Sequence, residues 1–160
     1  MNRKSSPLSP SRGFTLIELL VVITVIAILA GIVLNTAGYI QKKAARSRAE
    51  TEIAALSAAL ESYKAEYGSY PTGTNAAPGT NNSFLRSALA PTSGKVFMEF
   101  TTGMGGANST TSTPVLDPFG SGYGYQFPGD ANRSGTNFFD LWSTAGATPT
   151  TDTNQWIKNW

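Results

Sequence analysis

Apolar positions in the first part of the chain follow two different patterns. Residues 14–34 are apolar at nearly every position, which matches the ~20 residues that cross the hydrocarbon core of a bilayer. From residue 53 onward the apolar side chains recur every three or four positions, as on one face of a helix; these are Ile53, Leu56, Leu60, Tyr63 and Tyr67. We therefore predict one helix over residues 14–67, with a hydrophobic transmembrane or filament-core segment at 14–35 and an amphipathic continuation at 36–67.

Turn residues end this helix and divide the remaining chain, 68–160, into short segments. Gly68 and Pro71 predict the helix end, because Gly tolerates a left-handed cap and Pro cannot continue a helix. Residues 72–94 are rich in Asn, Thr, Gly, Ala and Pro, which predicts a loop with about one helical turn. Strands are predicted at 95–100, around 123–127 and, as the last strand, at 137–143. Three or four antiparallel strands packed on the helical stripe give an α+β fold, with 68–160 as its globular domain.

Composition excludes several classes of function. The chain contains no Cys and no His, so neither a disulfide nor a thiolate nucleophile nor a Cys or His metal ligand is available. The acids of the polar part form no clustered pair, and we predict that the protein is not an enzyme. The basic isoelectric point, about 9.0, depends on Arg3, Lys4 and Arg12. Without these three, nine basic side chains face ten acidic ones, so no positive stripe for nucleic acid is expected.

A single carboxylate, Glu18, interrupts the apolar segment. An ionised side chain at the bilayer centre costs at least ~3 kcal/mol on insertion scales, so a segment that only anchors gains nothing from it. A secretory signal peptide has an apolar core of about 7–15 residues followed by a small-residue cleavage site. The run here is longer, and no clear site of that kind follows it. The residues alone leave open a plain anchor, a signal, or a segment that uses Glu18 to bind a partner.

The sequence around Glu18 resembles the processing signal of the type IV pilin and pseudopilin family. The matching run is Arg-Gly-Phe-Thr-Leu-Ile-Glu-Leu-Leu-Val-Val-Ile at residues 12–23. The resemblance implies a pilin fold and removal of residues 1–13 as a leader by a membrane-embedded prepilin peptidase. It also implies cleavage between Gly13 and Phe14 and N-methylation of Phe14. In the filament, Glu18 would neutralise the α-ammonium of a neighbouring subunit, and the two charges would compensate each other in an apolar environment.

Three further segments resemble the major pseudopilin of type II secretion systems. They are the Tyr-x4-Gly-x-Tyr-Pro run at 63–71, the Asp-Pro-Phe-Gly turn at 117–120 and the Asp-x-x-Ser element at 140–143. Asp117 is expected to accept hydrogen bonds from the amides of its own turn. The absence of cysteine separates the chain from many type IV pilins, which carry a C-terminal disulfide. The resemblance implies a structural subunit of a type II secretion-like pseudopilus, polymerising through its N-terminal helix to drive protein secretion across the outer membrane.

Two other functions stay open at this point, a type IV pilus subunit for adhesion, motility or DNA uptake and a membrane-tethered binding module. The family resemblance implies partners as well. These are copies of the same chain in a helical filament, the peptidase and methyltransferase, an inner-membrane assembly platform with a cytoplasmic ATPase, and minor pseudopilins. It places the protein in the bacterial inner membrane as a single-pass protein. The leader's positive charge predicts a cytoplasmic N-terminus and a periplasmic C-terminal domain.

Major pseudopilins commonly bind calcium in the C-terminal loop, and this chain matches that pattern only in part. The first acidic residue after the Asp-x-x-Ser element is missing, because residues 143–147 read Ser-Thr-Ala-Gly-Ala. Calcium takes six to eight oxygen ligands, and the candidates here are Asp152 and Asp140. The alternative is a loop held by packing of Trp156 and Trp160.

A basic cluster follows the apolar segment, and it too has two interpretations. Its members are Lys42, Lys43, Arg46 and Arg48. They can lie in solvent near anionic lipid headgroups. Alternatively, they can pair with Glu50, Glu52 or Glu61 of neighbouring subunits.

Overall fold

The computed structural model describes residues 13–75, 82–105, 112–147 and 153–160. Its longest element is helix α1, Leu16–Tyr67, which has 52 residues. The predicted helix over 14–67 is therefore confirmed to within two residues at its start. Gly68 ends it in the left-handed conformation with φ of 80°, and its N–H donates to the Lys64 carbonyl at 2.7 Å. Gly adopts this left-handed conformation without steric cost, so the helix can end at position 68, where any other side chain would strain the cap.

Within the described residues, four short strands form one antiparallel sheet whose spatial order is the chain order. They are β1 (Gly73–Asn75), β2 (Gly124–Phe127), β3 (Asp140–Ser143) and β4 (Ile157–Lys158). A short helix, α2 (Ser83–Leu89), and 3-10 turns at Thr102–Met104 and Thr153–Gln155 lie in the connections. The predicted α+β fold with three or four antiparallel strands is confirmed. The chain divides into two compact units, Met1–Gln41 and Lys42–Trp160.

The core of the second unit lies between α1 and the sheet. Ile53, Leu56 and Leu60 are buried in one cluster with Tyr125 of β2 and Leu141 of β3. Full burial of an aliphatic side chain of this size contributes about 1.5–3 kcal/mol, so the predicted stripe is the main attachment of α1 to the sheet.

The last residue of the predicted stripe, Tyr67, does not belong to the core. It is 56% exposed, and its ring touches only the edge of the cluster, at 4.6 Å from the Tyr63 centroid and 5.8 Å from that of Phe97. Tyr67 is the final helical residue, and its ring contacts are with Tyr63 and Phe97, which lie outside the sheet.

The segment 95–100, predicted as a strand, is not one. The N–H groups of Phe97 and Met98 both donate to the carbonyl of Leu89, so the backbone meets the end of α2 and not a neighbouring strand. The alternation has another cause: Phe97 packs on Tyr63 with the ring centroids 5.4 Å apart, whereas Phe100 is buried in the core. The segment packs across the C-terminal end of α1.

Two strands were not predicted, and the last strand was misplaced. The segment 72–94, expected to be a loop with one helical turn, contains β1 and the seven-residue α2. The predicted strand at 137–143 is real only over β3, and β4 follows it along the chain and along the sheet. Asn159 joins these two strands further, because its Oδ1 accepts from Leu141 N at 2.8 Å and its backbone N–H donates to Leu141 O at 3.1 Å.

A buried amide, Asn82, holds the loop before β2 in place. Its Nδ2 donates to the carbonyls of Val115 and Tyr123 at 3.0 and 2.8 Å, and its Oδ1 accepts from Val115 N at 2.6 Å. Asn82 is 0% exposed. Asn82 thereby pairs the N–H of Val115 and the carbonyl of Tyr123, as buried polar groups require, and gives the Val115 carbonyl a second donor.

Candidate assembly site at the start of the long helix

Glu18 and Thr15 bind each other through three hydrogen bonds at the first turn of α1. Thr15 directly precedes the helix, and its backbone N–H and hydroxyl donate to Glu18 Oε2 at 2.9 and 2.6 Å. Glu18 N donates to Thr15 Oγ1 at 3.3 Å. This arrangement is a capping box, which pairs helix N–H groups that would otherwise lack acceptors. The Thr-x-x-Glu spacing in the sequence is the signature of this motif, and the intermolecular role predicted for Glu18 is thus joined by an intrachain one.

The capping box leaves part of the Glu18 carboxylate available. Both bonds from Thr15 end on Oε2, so within the described residues Oε1 has no donor. The side chain is exposed, and no cation of the described chain forms an ion pair with it. A carboxylate held in this position is oriented by its own helix and can still bind an ammonium group from outside.

The predicted cleavage site lies in open backbone just before the helix. Gly13 and Phe14 are outside α1 and exposed, and Phe14 is 86% accessible. A β-carbon built on Gly13 would have no heavy atom within 4 Å, so this position is not packed against the described residues. The leader, of which residues 1–12 lie outside the described residues, and the processing itself remain predictions.

The N-terminal part of α1 exposes an apolar surface on all sides. Exposure of its side chains ranges from 49% to 82% for the large apolar residues of the helix up to Ile32; Leu16, Ile17, Leu19, Leu20, Val21, Val22, Ile23, Val25, Ile26, Ile28, Leu29 and Ile32 belong to this set. In the ranges that the structure describes, no helical stretch combines the length and the apolarity needed to cross a membrane. Exposed apolar patches of this extent mark an interaction surface.

The acids proposed as partners of neighbouring subunits have partners in their own chain. Arg46 Nε lies 3.5 Å from Glu50, and Arg46 Nη1 donates to the Gln155 carbonyl at 2.9 Å. Arg48 Nε donates to Glu52 at 2.7 Å. Glu52 and Glu61 each accept from a tyrosine hydroxyl as well, of Tyr123 at 2.8 Å and of Tyr70 at 2.7 Å respectively. Burial, followed by the bond to the carboxylate, raises the pKa of both tyrosines, so these hydroxyls stay protonated donors.

Asp140, one of the two calcium candidates, is fully buried and already surrounded by donors. Its Oδ2 accepts from Asp130 N at 3.0 Å and lies 3.6 Å from Arg133 Nη1. Its Oδ1 accepts from Ser134 N at 3.2 Å and from the Ser134 hydroxyl. N–H and O–H groups occupy the positions that a cation would need, so Asp140 does not fit a calcium site.

The remaining features of the C-terminal loop point to packing. The second calcium candidate, Asp152, lies outside the described residues, and the described ones contain no group of three or more His, Cys, Asp or Glu side chains that could hold a metal. The Trp142 and Trp156 rings stack with centroids 5.8 Å apart at 6°. Arg133 lies 5.5 Å from the Trp142 ring and 5.1 Å from that of Trp160. This geometry agrees with the alternative in which tryptophans hold the loop.

Asp117 behaves as its turn predicted. Its Oδ1 accepts from Phe119 N at 3.0 Å and from Ser121 N at 2.8 Å. Its Oδ2 accepts from the Ser143 hydroxyl at 2.5 Å, which the sequence did not indicate. This hydrogen bond between residues 26 positions apart connects the Asp-Pro-Phe-Gly turn to the Asp-x-x-Ser strand.

Comparison with known proteins gives two kinds of match. The prokaryotic N-terminal methylation motif matches residues 8–34. Type II secretion system core protein G of Escherichia coli is 31% identical over 149 residues, which cover 93% of this chain and 90% of that protein. The core protein G of Klebsiella michiganensis is 43% identical over 61 residues, and that of Vibrio cholerae 42% over 60. In these two shorter matches the chain spans 43% and 41% of the relative's length.

Proposed function

This chain belongs to the family of type II secretion system core protein G, and from that premise we infer how it works as the structural subunit of a pseudopilus. Membership rests on 31% identity over nearly the whole of both chains. The observation that carries the mechanism is the coincidence of three features at one end of α1. These are the methylation motif, the exposed apolar helix surface and the capped Glu18, whose Oε1 has no donor among the described residues.

The proposed assembly step begins with processing. Cleavage of the bond between Gly13 and Phe14 releases a new α-ammonium at Phe14, and N-methylation leaves its positive charge in place. This cation is the complement of Glu18 Oε1 on a neighbouring copy. A lone carboxylate in an apolar environment costs ~3 kcal/mol or more, and pairing it with the ammonium removes most of that cost. The charge pair then favours one register of the apolar helices over all others.

Apolar contact alone does not explain assembly from a bilayer. Lipid tails are as apolar as Leu, so apolar helices gain little by exchanging lipid for each other. Close helix packing and the Glu18 pair must supply the specificity. An assembly platform with an ATPase would supply the work of extraction, and minor pseudopilins would start the filament. We place the protein in the inner membrane, with the leader in the cytoplasm and residues 42–160 on the other side.

Three matched variants test the proposal in a strain that expresses the peptidase. Glu18→Ala removes the charge and the cap, Glu18→Gln keeps a hydrogen-bonding cap without charge, and Thr15→Val removes the capping hydroxyl but keeps the carboxylate. We expect all three to be cleaved after Gly13, as measured by intact mass and N-terminal sequencing. Filament yield, measured by shearing and electron microscopy, should be lost in both Glu18 variants and kept in Thr15→Val.

Two results would contradict this account. Normal filament yield from Glu18→Gln would show that the charge is dispensable. A chain that still begins at Met1 would exclude processing at Gly13 and leave no new ammonium for Glu18 to bind. A chain cut beyond Leu34 would exclude it as well, because such a chain has lost Glu18 itself.

A further inference from the structure

Charged side chains of the second unit are almost all used within the chain. In the described part of residues 42–160, fourteen of seventeen charged side chains have a hydrogen bond, an ion pair or a ring contact; they are Arg46, Arg48, Glu50, Glu52, Glu61, Lys64, Glu66, Arg86, Lys95, Asp117, Asp130, Arg133, Asp140 and Lys158. The three others in that part of the chain are Lys42, Lys43 and Glu99. All three side chains are exposed, and the two lysines are opposite in charge to Glu99.

The two lysines and Glu99 lie at opposite ends of the part of α1 that belongs to the second unit. The lysines are in the helix itself, and Glu99 is in the segment 95–100 that packs on its C-terminal end. Glu99 follows Phe97, whose ring packs on Tyr63 and Tyr67 in the last turns of the helix. Lys43 lies 20 to 24 residues earlier along α1. At 1.5 Å per residue the separation along the helix axis is about 30–36 Å, far beyond the reach of a lysine side chain. These charges therefore cannot pair within one chain.

Pairing between two copies needs only a shift along the helix axis. A second copy, parallel to the first and displaced by about 30–36 Å, places its Glu99 beside Lys42 and Lys43 of the first. Such a contact uses two different patches and is heterologous, and a heterologous contact that does not close generates an open filament. We propose that Lys42 and Lys43 of one copy bind Glu99 of another and so fix the axial stagger of the filament. The proposal rests on the function proposed above.

The role of this contact is specificity more than strength. A single exposed ion pair contributes little, but the contact recurs at every subunit, and a wrong stagger leaves all three charges without partners. The alternative occupant of the lysines is a surface of anionic lipid headgroups. Glu99 separates the two, because lipid binding makes no use of a carboxylate at the other end of the helix.

Charge reversal tests the contact in the full chain. Lys42→Glu with Lys43→Glu should lower filament yield about fivefold, and Glu99→Lys should do the same, as expected for a loss near 1 kcal/mol per contact. The combined triple variant should recover at least half of the original yield. Lys158→Glu, an exposed cation outside the proposed contact, is the matched control and should assemble normally.

A second measurement uses the absence of cysteine from the chain. Lys43→Cys with Glu99→Cys, treated with a short bis-maleimide, should give a ladder of covalent oligomers from assembled filaments. Each single variant should give none beyond a dimer, and Lys158→Cys with Glu99→Cys should give no ladder.

The outcomes separate the two proposals. Normal yield in the reversed variants, failure of the triple variant to recover, or the absence of a ladder would overturn the contact while the pseudopilus function stands. If the lysines bind lipid headgroups, the Lys42→Glu, Lys43→Glu variant loses filament yield and Glu99→Lys alone does not. Adding Glu99→Lys to the lysine variant then fails to restore the yield. Absence of filaments from the unmodified chain would remove both proposals together.

Discussion

Replacing Asn82 by Ala tests whether a single amide holds the second unit together. The change removes the acceptor of Val115 N and one donor to Tyr123 O, both in buried surroundings. The Val115 carbonyl keeps a partner, because Tyr123 N also donates to it at 3.1 Å. Two backbone groups are thus left unpaired, at a cost of about 1–3 kcal/mol each. The expected loss in free energy of unfolding is about 2–6 kcal/mol, a large fraction of the ~5–15 kcal/mol typical of a domain.

Urea and thermal unfolding of the full chain in detergent measure this loss. The tryptophans all lie in residues 142–160, so their fluorescence and near-ultraviolet circular dichroism report on the sheet and not on the N-terminal helix. We expect the midpoint temperature to fall by at least about 8 °C, since 1 kcal/mol shifts it by roughly 4 °C in a unit of the size of Lys42–Trp160. Asn132→Ala, at an exposed amide, should change stability by less than about 0.5 kcal/mol.

The variant Asn82→Asp sharpens the argument. Its carboxylate could still accept from Val115 N, but it would face the carbonyls of Val115 and Tyr123, to which the native amide donates. Burial would raise the pKa of the new carboxyl, so the variant should be most stable at acid pH and lose stability as the pH rises through that pKa. A loss below about 1 kcal/mol in Asn82→Ala, or no pH dependence in Asn82→Asp relative to the unmodified chain, would refute the reasoning.

Three further predictions concern the sheet. Arg133→Ala leaves buried Asp140 without its cation and should cost about 1–3 kcal/mol in urea unfolding, discounted from a fully buried pair because Arg133 is partly exposed, whereas Arg133→Lys should cost less. Gly124→Ala places a β-carbon inside the Trp142 indole and should cost about 1–3 kcal/mol, with a changed near-ultraviolet spectrum. Burial and then a bonded carboxylate raise the pKa of Tyr123, so stability should fall above about pH 10, where only the unfolded state ionises; Tyr123→Phe should reduce that slope in urea titrations at pH 9–11.

The parts of the fold that the sequence predicted are those with a long local signal. The α1 helix combines a sustained apolar pattern with a Gly cap, and both act within a few residues of each other. The Asp117 turn is equally local, because the acceptor and its donors lie within four residues. β2 and β3 lie in runs rich in aromatic residues, which indicated strands, although both predicted ranges are longer than the strands themselves.

The missed elements depend on distant partners. β1 and β4 have three and two residues, too few for a period to be read, and they exist because β2 and β3 present edges to pair with. The alternation at 95–100 was real, but it reflects packing over the end of α1 and not a ladder. Asn82, in a polar stretch, gave no sign that it is buried.

The candidate site divides along the same line. The motif that includes Gly13, Phe14 and Glu18 was readable because it is contiguous. The sequence could not show which acids of the helix are free to bind other subunits. Glu52 and Glu61 accept hydrogen bonds from tyrosines, and only the folded chain determines where those tyrosines lie. The sequence likewise could not show that the carboxylate of Asp140 is surrounded by hydrogen-bond donors, because these donors come from a separate turn.

The hydrogen bond from Arg46 to Gln155 joins positions 109 residues apart and has a consequence for biosynthesis. At ~5–20 residues per second, about 5–20 s pass between synthesis of Arg46 and synthesis of its partner. For most of that interval the apolar stripe of α1 has been made, but neither β3 nor β4 has yet been synthesised to cover it. The nascent chain therefore needs another surface to cover this stripe until the sheet has formed. A pause in translation before residue 140 should lengthen this exposed period and increase degradation of the newborn chain.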